Sequence, residues 1–77
     1  IHTTRDAKTR LQEWLQGKGY PLAVYEVVAI SGDDHNQVFE VACSCKAANN
    51  SRAGTASSRK KAEQKAAAAM LEILEHE

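Results

Sequence analysis

Two hydrophobic periods follow one another along this chain. Between Asp6 and Gly19, the apolar residues Ala7, Leu11, Trp14 and Leu15 stand three or four positions apart, which places them on one stripe of a helix. Asp6 is a suitable N-cap, and Gly17 and Gly19 are suitable terminators, so the pattern predicts a first helix of about three turns. Its other faces carry Lys8, Thr9, Arg10, Gln12, Glu13 and Gln16. A Trp on such a stripe reads as core rather than as a platform for a stacked base. Residues 1–5 show no periodicity and read as a linker remnant ahead of a domain over residues 6–77.

Past Gly19-Tyr20-Pro21 the period becomes two. Ala23 to Ser31 is rich in Val, Tyr and Ile and reads as a strand, with Tyr25, Val27 and Ala29 on one face and Val24, Glu26, Val28 and Ile30 on the other. Gly32-Asp33-Asp34-His35-Asn36 is a cluster of turn formers. From Gln37 to Lys46 a second strand sets Phe39, Val41, Cys43 and Cys45 against Glu40, Ser44 and Lys46. The short connection implies an antiparallel hairpin, with Tyr25 and Val27 joining the Phe39 and Val41 side. A second turn covers Ala47 to Ser51, and Arg52 to Ala56 has room for a short third strand.

The helical period returns from about Ser58 to about Glu75, a second helix about 27 Å long. Ala62, Ala66, Ala69, Met70 and Ile73 form its expected packing stripe, and the small side chains let it lie close on a sheet. The order predicts an α+β fold of α-β-β-β-α type, a three-stranded antiparallel sheet with two helices packed on one face and the opposite face wet.

Charge changes the picture at one place. Arg59, Lys60 and Lys61 occupy the first turn of the second helix, where the helix dipole is already positive, while Glu72, Glu75 and Glu77 sit at its negative end. Such an arrangement is unfavourable unless an anion meets it, and free amides flanked by Lys and Arg form a phosphate site. Several cations in a row suit a nucleic-acid backbone better than one small ligand; the plain alternative is a solvated basic face. Ten basic residues balance ten acidic ones, so attraction must come from local segregation, which Arg59, Lys60, Lys61 and Lys65 supply against Glu63 alone.

Composition narrows the classes. Seventy-seven residues support one small core and no enzyme-sized cleft. No apolar run has the length of a membrane span or signal peptide, from which a soluble, cytoplasmic chain is expected, and Ile1 in place of Met suggests a fragment or processed chain. Cys43 and Cys45 are two apart on one strand and are expected as buried, reduced thiols; His2, His35 and His76 have no metal-site spacing, so no metal or other cofactor is expected in this chain. Asp33 and Asp34 are adjacent in a turn and Glu13 lies elsewhere, which leaves no two-metal carboxylate cluster for hydrolysis.

Four segments in register resemble one family. Asp-Ala-Lys-Thr-Arg-Leu-Gln-Glu-Trp-Leu-Gln at 6–16, Pro21 with Tyr25, Asp34-His35 before Phe39, and Gly-Thr-Ala-Ser-Ser-Arg-Lys-Lys-Ala-Glu-Gln at 54–64 are similar to the double-stranded-RNA-binding domain, particularly the carboxy-terminal domain of bacterial ribonuclease III. The resemblance spans Asp6 to about Leu74. It implies three contacts with A-form duplex: Thr9, Gln12, Glu13 and Gln16 in one minor groove, His35 in the next, and Ser58, Arg59 and Lys60 on the phosphates between, with Lys61 ranked below them. Without it, His35 is a loop residue bonded to its own backbone and Gln12 and Gln16 are ordinary exposed residues. Two positions depart from the family pattern. Ala56 replaces a usual glycine, which strains the chain if φ is positive there, and Glu63 replaces a usual lysine, an acidic choice shared by ribonuclease III relatives that weakens phosphate attraction.

The resemblance implies a non-catalytic module that holds double-stranded RNA for a separate Mg²⁺-dependent nuclease domain, acting on rRNA and other structured precursors. The fragment is then expected as a monomer and the parent as a homodimer through its other part. A competing expectation is a degenerate domain of the same fold that binds protein or dimerises, with Val24, Val28 and Ile30 as its apolar patch.

Overall fold

Asp6 caps the first helix as the sequence pattern requires: its backbone is extended and its carboxylate accepts from the amide of Thr9. The computed structural model describes residues 6–76; the linker expected over residues 1–5, with His2, and the terminal Glu77 lie outside them. The elements run α1 (Ala7–Gly17), β1 (Val24–Ser31), β2 (Val38–Ser44), β3 (Arg52–Ala56) and α2 (Arg59–Glu75). Helix α1 closes on two reverse bonds, from the Gly19 amide to the Gln16 carbonyl at 3.1 Å and from the Tyr20 amide to the Leu15 carbonyl at 2.8 Å. Tyr20 then stacks on Trp14, ring centroids 6.5 Å apart, so Trp14 is half-buried at the core's margin instead of being enclosed by it.

The sheet is antiparallel in the order β1-β2-β3. Tyr25 pairs with Cys43 and Val27 with Val41, as the alternation implies. Beyond Val27 the register shifts at Val28, so Ala29 pairs with Glu40 and Ile30 with Phe39. This bulge moves Ile30 to the Phe39 side and Ala29 to the outer face, the reverse of strict alternation. An unbroken period of two cannot reveal an inserted residue. The second strand also ends at Ser44, short of the expected Lys46, and Cys45 is half-buried where two buried thiols were expected.

Helix α2 lies on β2 and β3, and α1 packs against α2. Gly54 in β3 explains how close the helix comes: a Cβ there would stand 2.5 Å from the Ala66 nitrogen and 2.7 Å from the Ala62 carbonyl oxygen. Ala62, Ala66 and Met70 are buried, as the stripe predicted, but Ala69 and Ile73 are only half-buried. Ala67, Leu71 and Leu74 are buried in their place and join Leu11 and Leu15 in the core. The stripe rotates because α2 is covered twice, by the sheet and by α1. Burial of each such Leu contributes about 1.5–3 kcal/mol, more than a surface ion pair. No residue other than Gly19 and Gly32 has positive φ among the described residues, so Ala56 causes no strain.

Candidate nucleic-acid interface

Ser58 opens α2 in an extended conformation, its hydroxyl accepting from the Lys61 amide at 3.2 Å. The first intrahelical bond is from the Ala62 amide to the Ser58 carbonyl, so the amides of Arg59 and Lys60 precede it. No acidic residue lies in this first turn. Arg59, Lys60 and Lys61 are all exposed. Lys61 and Lys65, four apart, share the side turned away from the buried stripe.

Glu63 does not face outward with them. Its side chain is 13% exposed, with one oxygen 2.6 Å from Lys8 Nζ and the other 3.1 Å from Arg59 Nε. The Lys8 hydrogen bond, followed by that of Arg59, holds the Glu63 carboxyl below its ordinary value against the cost of burial. Lys8 Nζ also stands 4.9 Å from the centre of the Tyr25 ring. Burial, and then the neighbouring Cys43, push the Tyr25 hydroxyl far above its usual range. A chain of contacts thus runs from β1 through α1 to the start of α2.

Gln64 makes the second link. Its Oε1 accepts from the Ala7 amide at 2.7 Å and the Lys8 amide at 3.3 Å, while its Nε2 donates to Asp6 Oδ1 at 2.6 Å. Asp6 also accepts from the Thr9 amide, and these bonds, the Gln64 one first, lower its carboxyl pKa. The first amides of α1 are therefore satisfied from α2. Neither Gln64 nor Lys8 was singled out by sequence pattern. The four-residue spacing from Arg59 to Glu63 is legible as a helix pair, but the reach to α1 depends on how the helices pack.

Thr9, Gln12, Glu13 and Gln16 lie on the side of α1 away from Leu11 and Leu15, at spacings of three and four, and all four are exposed. His35 lies in a turn built on Asp33, whose Oδ1 accepts from the amides of His35 at 3.0 Å and Asn36 at 2.8 Å. Gly32 makes that turn possible: its φ is 91°, and a Cβ would fall 2.0 Å from the Asn36 carbonyl oxygen. The His35 amide is thus held by the Asp33 carboxylate and not by its own side chain, which is exposed.

Strand register brings these groups together. Ser31 pairs with Val38 at the mouth of the turn, and Phe39 pairs with Ala56, two residues before Ser58. The His35 turn and the start of α2 therefore lie at the same end of the sheet, and Gln64 and Glu63 tie α1 to that same helix start. Among the described residues no three His, Cys, Asp or Glu side chains come together to hold a metal ion. Nor is any helix among them long and apolar enough to cross a membrane.

A three-stranded antiparallel sheet backed by two helices, with a cationic helix start beside a largely uncharged polar helix face, defines the class: an α-β-β-β-α module with one polar, phosphate-suited surface. The family described as "Double-stranded RNA binding motif" matches residues 7–74, and the chain belongs to it. Over 70 residues it is 56% identical to Ribonuclease 3 of Delftia acidovorans, covering 91% of this chain and 31% of that protein. Against Ribonuclease 3 of Shewanella putrefaciens the identity is 54% over 70 residues, with the same coverage. The chain thus spans about a third of the length of these relatives. Among solved structures it is similar to Arabidopsis HYL1, with TM-score 0.74 and 30% identity over 91% of this chain and 99% of that one. It is also similar to dsRBD2 of DRB4, with TM-score 0.66 and 28% identity over 91% and 96%.

Proposed function

We propose that this chain recognises A-form double-stranded RNA by shape and serves as the substrate-holding module of a ribonuclease III endoribonuclease. The observation that carries this reading is the shared end of the sheet at which the Arg59-Lys60-Lys61 turn and the His35 loop lie, with the start of α1 bonded to the same helix. A-form RNA has a major groove too deep and narrow to read and shallow minor grooves lined with 2′-hydroxyls. Ser58, Arg59 and Lys60, with Lys61 behind them, meet phosphates across the major groove. Thr9, Gln12 and Gln16 exchange hydrogen bonds with 2′-hydroxyls and base edges in one minor groove, and Glu13 accepts from a hydroxyl there, a donor that DNA lacks. His35 reaches the next minor groove.

In this reading the chain binds and does not cut. Hydrolysis, with its Mg²⁺, belongs to the part of the parent enzyme beyond this chain, as does homodimerisation, and the chain alone is a monomer. The parent acts on rRNA and other structured precursors in the cytoplasm. Similarity to the Ribonuclease 3 relatives supports this assignment.

The test is fluorescence anisotropy with a duplex RNA of about 20 base pairs, longer than the roughly 16 that reach two successive minor grooves, and a DNA duplex of the same sequence, at two salt concentrations. Binding of RNA over DNA, weakening with salt, is expected. Absence of binding to either duplex overturns the proposal and turns attention to a protein partner for the outer sheet face.

A further inference from the structure

We infer that Gln64 is a positioning residue for RNA discrimination: by capping α1 from α2 it fixes the 2′-hydroxyl-reading face relative to the phosphate-binding helix start. The inference rests on the proposed function and adds a residue that touches no RNA in it. Three hydrogen bonds converge on one side-chain amide, from the Ala7 and Lys8 amides at 2.7 and 3.3 Å and from its own Nε2 to Asp6 at 2.6 Å. Asp6 in turn holds the Thr9 amide at 3.3 Å, and Thr9 heads the exposed polar face.

The chemistry of the link is directional. Gln64 offers one acceptor to the helix and one donor to Asp6, and no other side chain of its length offers both without charge. Gln64 is itself half-buried and sits one turn after Lys60, so a change in how it holds α1 alters the offset between the two contact surfaces. Phosphate contacts tolerate such an offset because charge attraction is long-ranged and non-directional. Hydrogen bonds to 2′-hydroxyls do not, since they weaken steeply with distance and angle. Losing the link should therefore remove discrimination before it removes attraction.

The experiment compares the wild-type chain with Gln64→Met, Gln64→Glu and the pair Asp6→Asn with Gln64→Glu, by anisotropy on RNA and DNA duplexes at low and moderate salt. Gln64→Met keeps length and neutrality but loses all three bonds. Gln64→Glu keeps the acceptor but sets a carboxylate against Asp6. The pair restores the donor and acceptor in exchanged positions at unchanged net charge: the amide nitrogen introduced at position 6 donates to the carboxylate introduced at position 64. Because Asp6 Oδ1 accepts from both Gln64 Nε2 and the Thr9 amide, turning the amide nitrogen toward position 64 gives up the Thr9 bond.

Gln64→Met should weaken RNA binding about 10-fold, the scale of one net hydrogen bond or two, with an unchanged salt slope and DNA binding at low salt within about 2-fold. The double variant should bind RNA better than Gln64→Glu alone without reaching wild type, since it recovers the inter-helix bond but not the Thr9 cap. Equal losses on RNA and DNA would mark a purely structural role and overturn the inference, as would unchanged RNA binding in Gln64→Met or a double variant no better than Gln64→Glu. A wild-type chain with no preference for RNA overturns the proposed function itself, and this is read before any variant is compared.

Discussion

Lys8 Nζ lies 2.6 Å from Glu63 Oε1, and the other oxygen of the same carboxylate receives Arg59 Nε at 3.1 Å. One largely covered acid thus joins two helices and engages one of the three cations in the first turn of α2. Its presence where family members often carry lysine is explained by this contact: a lysine at 63 would face Lys8 and Arg59 across the same gap.

Glu63→Gln should destabilise the fold at neutral pH by about 1–2 kcal/mol, because the amide has one acceptor oxygen where the carboxylate has two. At most one of the two cations, one of them the mostly exposed Arg59, keeps its bond, and neither keeps its ion pair. The pH dependence carries the sign. The folded-state pKa of Glu63 is lowered from 4.5, so its stabilisation is complete above that value and is lost as pH falls through the lower folded one. Urea midpoints for wild type and variant should be separated at neutral pH and converge in acid below the folded-state value. A separation that persists undiminished in acid would remove the ionic account.

Lys60 and Arg59 should not contribute equally to RNA binding, because Arg59 already holds an intrachain carboxylate. Lys60→Ala should cost about 1 kcal/mol on every duplex sequence and reduce the salt slope by about 1, with Arg59→Ala costing less. In the Glu63→Gln background the Arg59→Ala loss should grow toward that of Lys60→Ala. The check is a double-mutant cycle by anisotropy at moderate salt, and a cycle without coupling between 59 and 63 would show that the pair does not restrain the guanidinium.

The parts of this architecture legible in the sequence are those set by local chemistry. Asp6 as a cap, the Gly32 to Asn36 turn, the alternation of Val41 and Cys43 and the basic start at Arg59 each follow from residue type and spacing within a few positions. The bulge at Val28 escaped because an extra residue leaves no mark on composition, and it exchanged the faces of Ala29 and Ile30. Ala67, Leu71 and Leu74 escaped because a single stripe was assigned to a helix that has two neighbours. Gln64 escaped for the same reason at the site: its partners are 56 to 58 residues away, and nothing near it in sequence signals them.

Gly54→Ala tests the close approach of β3 to α2. The added methyl would meet Ala66 N at 2.5 Å and Ala62 O at 2.7 Å, both backbone atoms that cannot swing aside. The strand must move away from the helix or the helix must tilt, and a loss of about 1–3 kcal/mol is expected in urea unfolding. Because the start of α2 moves with the helix, RNA affinity of the folded variant should also fall. Wild-type stability in Gly54→Ala would mean that the two elements have room to separate.

Cys43 and Cys45 differ by two positions and should differ greatly in reactivity. Cys43 is fully buried in the core, and burial, only partly offset by its hydrogen bond with Tyr25, pushes its thiol from 9.0 up to about 11. Cys45 lies just past the end of β2 and is half-buried. Only the thiolate reacts with a maleimide, so at about pH 7.5 Cys43 is disfavoured twice, by the scarcity of thiolate and by lack of access. The native protein should take up one label quickly, at Cys45. In a Cys45→Ser variant labelling should wait for unfolding, its extent tracking the urea transition followed by circular dichroism. Rapid labelling of Cys43 in that variant, well below the transition, would place an opening between α2 and β2 that the packing of Met70 and Ala66 over the sheet does not allow.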